Sequence, residues 1–360
     1  MPDKLKDIFF KEDFIQSLST SLKSVIQDFD DVNFKKKIFV ENWKSLELKE
    51  KMHHITETIH AFLPGDYVKS LEIIKKIAPS YSGFNFLIFP DFVEIYGINF
   101  PEISLPALEI FTKHCTSEFA IRPFLLNHQK ITFDFIYKWA KDSDENVRRL
   151  ASEGIRPRLP WGMNVPVLKS NPEIIIPVLE ILKDDESETV RKSVANNLND
   201  ISKKHPDLVL NICESWYGKN EPLNKLIKHA CRTLLKNSNI RAMKLFGFNS
   251  VNSVEVNDFN YLPKEIHIGE PVKISFNLLV KGADSQKIRM EYVLFYKTKS
   301  NIASKKVFQI KEGLFAPGTH NIMKNHFFID NSIRKHVKGE HTLELIVNGE
   351  KKERIDFMLI

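Results

Sequence analysis

A short helical pattern occurs twice in this chain, 43 residues apart, and it limits the possible folds more than any other feature of the sequence. DENVRRLASEGI begins at Asp144, and SETVRKSVANNL begins at Ser187. A looser third copy, LIKHACRTLL, begins at Leu226 if Ile227 is aligned with Val190 of the second copy. Periods near 40 residues with two helices per unit are typical of HEAT-type solenoids, whose units bury their apolar faces against one another.

Helical periodicity extends on the N-terminal side of the repeats. Residues 1 to about 80 are predicted to be helical, and a helix is predicted before each copy, at 133–140, 174–182 and 208–216. The aromatic segment 84–97 contains Pro90, and we expect it to be a packed connector.

The pattern changes after Lys244. Asn, Ser and Gly, followed by Pro263, indicate a linker or the entry to a second domain. Six strands separated by turn signals are predicted at 272–280, 289–296, 305–310, 320–329, 341–347 and 354–359. The predicted fold is therefore mainly α: a HEAT-like helical-repeat solenoid over residues 1–248, followed by an all-β immunoglobulin-like sandwich over residues 255–360.

Composition excludes several classes of protein. No apolar run is long enough to span a bilayer and no signal peptide precedes the helices, so we expect a cytoplasmic protein without membrane association. The three cysteines lack CxxC spacing, and the histidines at 53, 54 and 60 lack acidic or thiol partners at useful spacing. We therefore expect neither disulfides, nor a metal, nor a cofactor.

Charge is distributed unevenly along the chain. Lys and Arg number 13 against 17 Asp and Glu in residues 1–112, but 22 against 16 in residues 113–244. A basic middle segment favours a polyanionic partner, although an uneven surface charge without any partner would look the same.

The first repeat copy carries an unusual set of charges. Arg149, Glu153 and Arg156 recur at i, i+4 and i+7, which places them on one face of the predicted helix. The segment then breaks at Pro157 and presents Trp161 just past the predicted helix end. Two guanidiniums beside one carboxylate exceed what solubility requires.

Three stretches together resemble the AlkC branch of the HEAT-like DNA alkylation repair glycosylases. They are TSEFAIRPFL from Thr116, DENVRRLASEGIRPRLPWG from Asp144, and SETVRKSVANNLNDISKKHPD from Ser187. Some members carry a C-terminal immunoglobulin-like domain, which agrees with the strand-rich tail. The resemblance implies excision of cationic N-alkylated purines, above all 3-methyladenine, with double-stranded DNA containing alkylated bases as the partner. We expect a monomer.

The resemblance also implies roles for individual residues. A ring-methylated base is already cationic and leaves readily, so the enzyme must supply negative potential beside the sugar and orient water. The implied catalytic carboxylates are Glu153, Glu118 and Asp200. Trp161 would stack on the cationic base or on the sugar beside it. The implied DNA-binding cations are Arg149 and Arg156, with Arg148, Arg158, Lys192 and Lys203 as lesser candidates.

Each assignment has a structural alternative. Arg148 follows a valine in the pattern that ties one HEAT repeat to the next. Glu153 could simply pair with the arginine one turn earlier, and Trp161 could plug a loop over the core. Glu118 could be a helix-start charge, and Asp200 a solvated residue. For the whole protein, the alternatives are a non-catalytic HEAT scaffold that binds DNA or a protein, and a glycosylase of broader range that also accepts 7-methylguanine.

Overall fold

The computed structural model describes residues 5–250, 252–262, 265–298, 304–330 and 335–360. In these ranges no helix has the length and apolar character needed to cross a membrane. The chain forms two compact units: one comprises the described residues up to His205 with Trp216–Ala230, and the other comprises Pro206–Ser215 with Cys231–Ile360. This division cuts across the helical repeats, so the predicted boundary between residues 248 and 255 stays a prediction.

Helices are the regular secondary structure of the described chain as far as Leu245, and loops join them. They are α1 Leu5–Ile8, α2 Glu12–Val25, α3 Asp31–Ile38, α4 Leu48–His60, α5 Tyr67–Ile77, α6 Ile88–Tyr96, α7 Pro101–Thr112, α8 Ile121–Asn127, α9 Gln129–Trp139, α10 Glu145–Glu153, α11 Pro166–Ser170, α12 Ile176–Leu182, α13 Glu188–Ser202, α14 Pro206–Trp216, α15 Glu221–Ala230, α16 Arg232–Lys236 and α17 Ile240–Leu245. Short 3-10 turns lie at Ala78–Ser80, Phe84–Leu87 and Pro172–Ile174.

The segment predicted to be a packed connector is packed, with Phe86 and Phe89 fully buried, but it is itself largely helical, which the prediction did not include. A 3-10 turn at Phe84–Leu87 leads directly into α6. Pro90 is the third residue of α6. It is tolerated there because an N–H in the first turn has no intrahelical partner to lose.

The repeat helices α10, α13 and α15 pack side by side, α10 on α13 and α13 on α15. Val147, Val190 and Leu223 each occupy the third position of their helix, and all three are fully buried. The third copy therefore aligns through Leu223, and the alignment through Ile227 was wrong by one helical turn. Both residues are buried on the same stripe, so apolar spacing alone could not separate the two registers.

Strands make up the C-terminal part of the chain. They are β1 Val254–Leu262, β2 Glu265–Ile266, β3 Pro271–Val280, β4 Gln286–Tyr296, β5 Ser304–Phe315, β6 Gly318–Phe327, β7 Gly339–Val347 and β8 Glu350–Leu359. They form a three-stranded sheet in the order β1-β3-β6 and a five-stranded sheet in the order β2-β8-β7-β4-β5. Apolar residues from both sheets, among them Phe276 of β3 and Tyr292 of β4, share one core, which confirms the predicted sandwich.

Two strands at the start of the sandwich, β1 and the two-residue β2, are not among the six predicted strands. The segment 254–262, predicted to be a linker or the entry to a second domain, forms β1 and pairs antiparallel with β3. Its register shifts between Asn257 and Asn260, and Asp258 has a positive φ of 52°. An edge strand with an irregular register needs little apolar alternation, so the polar composition concealed it.

Candidate active site

The helix that carries the central motif begins and ends at specific signals. The Asp144 side chain caps α10 by accepting a backbone hydrogen bond at 2.8 Å from its first turn. α10 ends at Glu153, and Gly154 follows as its C-cap. A Cβ at Gly154 would lie 2.8 Å from Cγ2 of Ile121, so only glycine permits this approach. Because α10 ends at Glu153, Arg156 lies beyond the helix and not on its third turn as the spacing suggested.

Arg156 joins two carboxylates from neighbouring repeats. Its Nη1 donates to Oε1 of Glu153 at 2.6 Å. Its Nε and Nη2 lie 3.0 and 2.9 Å from Oδ2 of Asp200, on α13. Lys203 contacts the other Asp200 oxygen, Oδ1, at 3.0 Å. We call these four residues the Arg156 cluster; the arginine and the two carboxylates are each less than a tenth exposed.

The cluster keeps its central cation charged. Burial by itself would lower the pKa of the Arg156 guanidinium, but the charges of Glu153 and Asp200 and their hydrogen bonds outweigh it and raise the pKa. Buried charges persist only when they are paired and hydrogen-bonded, as these are. The arrangement therefore holds the two carboxylates at fixed positions.

Glu153 is held at both of its oxygens. Ser193, on α13, donates its hydroxyl to Oε2 at 2.5 Å and is itself buried. Each carboxylate oxygen has two lone pairs, so each Glu153 oxygen can still accept one further hydrogen bond. The side chain is therefore oriented without being saturated, as an oriented general base requires.

Glu118 belongs to a second ion pair. It lies in the turn before α8, where its Oε2 accepts hydrogen bonds from Arg149 Nη2 at 2.8 Å and from Thr116 Oγ1 at 2.7 Å. Arg149 lies on α10 one turn before Glu153. The partner of Arg149 is thus Glu118, and the simple i, i+4 pairing of Arg149 with Glu153 is not formed.

Trp161 projects from the loop that follows α10. Its side chain is 61% exposed, so it does not plug the core. Its backbone has a φ of 62°, a left-handed conformation that costs about 1 kcal/mol or more for a residue other than glycine. An indole exposed in the loop directly after the carboxylate-bearing helix is available to a flat cationic ligand.

The lesser cations occupy different surroundings. Arg148 grips the Asp185 carboxylate through Nε at 2.6 Å and Nη2 at 3.0 Å, and this bond raises the pKa of Arg148. That pairing connects α10 to the loop between α12 and α13 of the next repeat unit. Lys192 pairs with Glu188 at 2.8 Å on the exposed part of α13, and Arg158 is exposed. The DNA-binding roles of these cations stay predictions.

Arg122 is a supporting residue that sequence reasoning missed. Its Nη1 donates to the carbonyls of Gly154 at 2.9 Å and Arg156 at 3.0 Å, and its Nε donates to the Met163 carbonyl. Burial, together with the Arg156 charge, lowers the pKa of Arg122 to about 10. The sequence feature that could have revealed this role is an arginine within the apolar run AIRPF. An arginine in such a run is predicted to be buried, and a buried guanidinium needs several hydrogen-bond acceptors. It fixes the backbone on both sides of Trp161.

The described ranges contain no group of three or more His, Cys, Asp and Glu side chains arranged to hold a metal. His53 instead pairs with Asp91, with Nδ1 2.8 Å from Oδ1. That bond raises the pKa of His53.

Comparison with known proteins connects both parts of the chain to DNA repair. The model of a family described as DNA alkylation repair enzyme matches residues 90–234, and that of the C-terminal Ig-like domain of uncharacterised protein YhaZ matches residues 255–360. The uncharacterized protein YhaZ of Bacillus subtilis (strain 168) is 43% identical over 356 residues, 99% of each chain. The alkylpurine DNA glycosylase AlkC of Pseudomonas fluorescens, solved bound to DNA containing an abasic site analog, is 35% identical with a TM-score of 0.95. The match covers 99% of this chain and 100% of that one.

Proposed function

The chain belongs to the AlkC-type family of DNA alkylation repair enzymes, and on that premise we propose that it hydrolyses the N-glycosidic bond of cationic alkylated purines in DNA, chiefly 3-methyladenine. The observation that carries this proposal is the set of buried, hydrogen-bonded carboxylates that meet at α10 and at the loop directly after it. Glu153 and Asp200 meet at Arg156, just past the end of α10, and Glu118 pairs with Arg149 on α10 itself. A scaffold that only bound phosphates would gain nothing from such a set.

The reaction needs little acid catalysis. When the bond between C1′ and the base nitrogen breaks, its electrons neutralise the cationic base, and positive charge develops on the sugar. Glu153 and Asp200 supply negative potential in a site where burial strengthens electrostatic interactions. Water then attacks C1′, and Glu153 accepts its proton through a lone pair that neither Arg156 nor Ser193 occupies.

Trp161 supports selection of a charged lesion. The face of an indole attracts cations within about 6 Å of the ring, whereas neutral adenine gains only the stacking. Arg149, about a quarter exposed beside Glu118, is placed at the boundary between this site and solvent, where a DNA phosphate could reach it. We further propose that the protein acts as a monomer on duplex DNA, with the site in residues 1–248 and the sandwich of residues 255–360 as an accessory domain.

The test measures release of methylated bases from alkylated duplex DNA by wild type and by Glu153→Gln. We expect wild type to release 3-methyladenine and the variant to lose about 10²-fold or more in rate, because the neutral amide supplies neither negative charge nor a base. Duplex binding should change little. The matched control is Glu145→Gln, which alters an exposed carboxylate at the other end of the same helix.

Three outcomes separate the possible functions. DNA binding by wild type without any base release would favour the non-catalytic scaffold. Release of 7-methylguanine at a comparable rate would favour the broader-range enzyme. Full activity in Glu153→Gln would remove that residue from catalysis.

A further inference from the structure

One lysine from the N-terminal helices contacts the loop that carries Trp161. Lys49, the second residue of α4, donates from Nζ to the Trp161 carbonyl at 2.6 Å. The same Nζ lies 4.6 Å from the centroid of the Phe119 ring. Phe119 directly follows Glu118, so a single ammonium connects the tryptophan loop with the turn that carries a proposed catalytic carboxylate.

Trp161 depends on such anchors more than a buried residue would. Its indole is mostly exposed and receives little support from packing, while its backbone is in the left-handed region. Arg122 holds the carbonyls at Arg156 and Met163, before and after the loop. The carbonyl of Trp161 itself is held from the other side by Lys49.

We propose that Lys49 is a positioning residue that holds Trp161 in the orientation needed to face the substrate base. The proposal rests on the proposed function, because it assigns Trp161 the task of meeting that base. Groups that are fixed before binding need no ordering during the reaction, and small displacements of a positioned group reduce rates strongly. A lysine that only bound phosphate would project into solvent, whereas Lys49 is half-buried and its ammonium contacts a carbonyl and an aromatic ring.

Fluorescence provides a structural readout that does not depend on activity. The other three tryptophans, Trp43, Trp139 and Trp216, are at most 9% exposed, so acrylamide quenches mainly Trp161. We expect Lys49→Met, which keeps the stem and removes the donor, to increase quenching and lower the anisotropy of the exposed indole. Lys49→Arg, which keeps a donor, should restore both. Lys69→Met, which alters an exposed lysine of α5, is the matched control.

The activity test is a double-mutant cycle on base release. We expect Lys49→Met to lower kcat/KM about 10- to 10²-fold, and Lys49→Arg to recover most of it. In a Trp161→Ala background the same change should cost nothing further, because the residue that Lys49 positions is absent. An equal additional loss in that background would instead make Lys49 an independent DNA contact and overturn the proposal.

The two readouts separate the possible failures. If wild type released no base, the proposed function would fail while quenching still tested the contact. Unchanged quenching and anisotropy in a folded Lys49→Met variant would overturn the positioning role whatever the activity.

Discussion

Replacing Arg156 with methionine should destabilise the helical repeats in a pH-dependent way. The substitution removes the only cation that contacts both Glu153 and Asp200 in the described contacts, and of the two buried carboxylates only Asp200 then keeps a cation, the partly exposed Lys203. Removing one partner from a buried ion pair costs about 3–5 kcal/mol, because the remaining charge is desolvated without compensation. That is a large part of the about 5–15 kcal/mol by which a typical domain is stable.

The pH dependence follows from proton binding. A buried carboxylate without its cation binds a proton more readily in the folded chain than in the unfolded one. The folded variant therefore gains stability relative to the unfolded chain as the pH falls, so the deficit against wild type should be largest near pH 8 and smaller near pH 5. Arg156→Lys should be intermediate, since an ammonium lacks the planar fork that reaches both carboxylates.

The assay is urea unfolding followed by helical circular dichroism at pH 8 and pH 5. Arg158→Met, an exposed arginine in the same loop, is the control and should change stability by no more than about 0.5 kcal/mol. Adding Glu153→Gln to Arg156→Met should recover part of the loss. A deficit below about 1 kcal/mol, equal at both pH values, would refute the claim that this guanidinium compensates the buried carboxylates.

Three further predictions concern single positions. Burial raises the pKa of Glu94 from 4.5 to about 7, so ionisation of this carboxyl destabilises the folded chain as the pH rises between these two values. At pH 8, Glu94→Gln should therefore be more stable than wild type by at most a few kcal/mol and should melt at a higher temperature. At pH 4 the two proteins should melt alike. Gly154→Ala should cost about 1–3 kcal/mol in urea unfolding, because its methyl would meet Ile121. Ser193→Ala removes a hydrogen bond to charged Glu153 and should lower kcat for base release about 10-fold with KM little changed; an unchanged kcat would show that the serine does not orient the carboxylate.

Local patterns predicted much of the architecture. The repeat of apolar residues around Val147 and Val190 identified the helical stacking, because each helix must bury its stripe against a neighbour. Alternation and turn residues predicted six of the strands. Sequence reasoning failed where the pattern was weak, at the polar edge strand β1, and where two registers bury equally apolar residues, at the third repeat copy.

The candidate site was predicted less completely. The sequence placed Glu153 and Arg156 together through their spacing, although it attributed this to one helical face, and the actual contact crosses the helix end. Ser193 carried no signal, since serines are common in helices and nothing local marks one that meets a carboxylate 40 residues away. The role of Lys49 could not be predicted from the sequence either, because its partner, Trp161, lies 112 residues further along the chain.

By itself the sequence determined the two kinds of secondary structure, their order, and the family to which the chain belongs, since these depend on periodicity and motifs within short windows. Only the tertiary structure decided which carboxylate each arginine meets, and which residues hold Trp161. Those contacts join residues distant in sequence, and their energies depend on burial. Because a charge is expensive to bury unpaired, the fold, rather than the spacing of residues, assigns the partners.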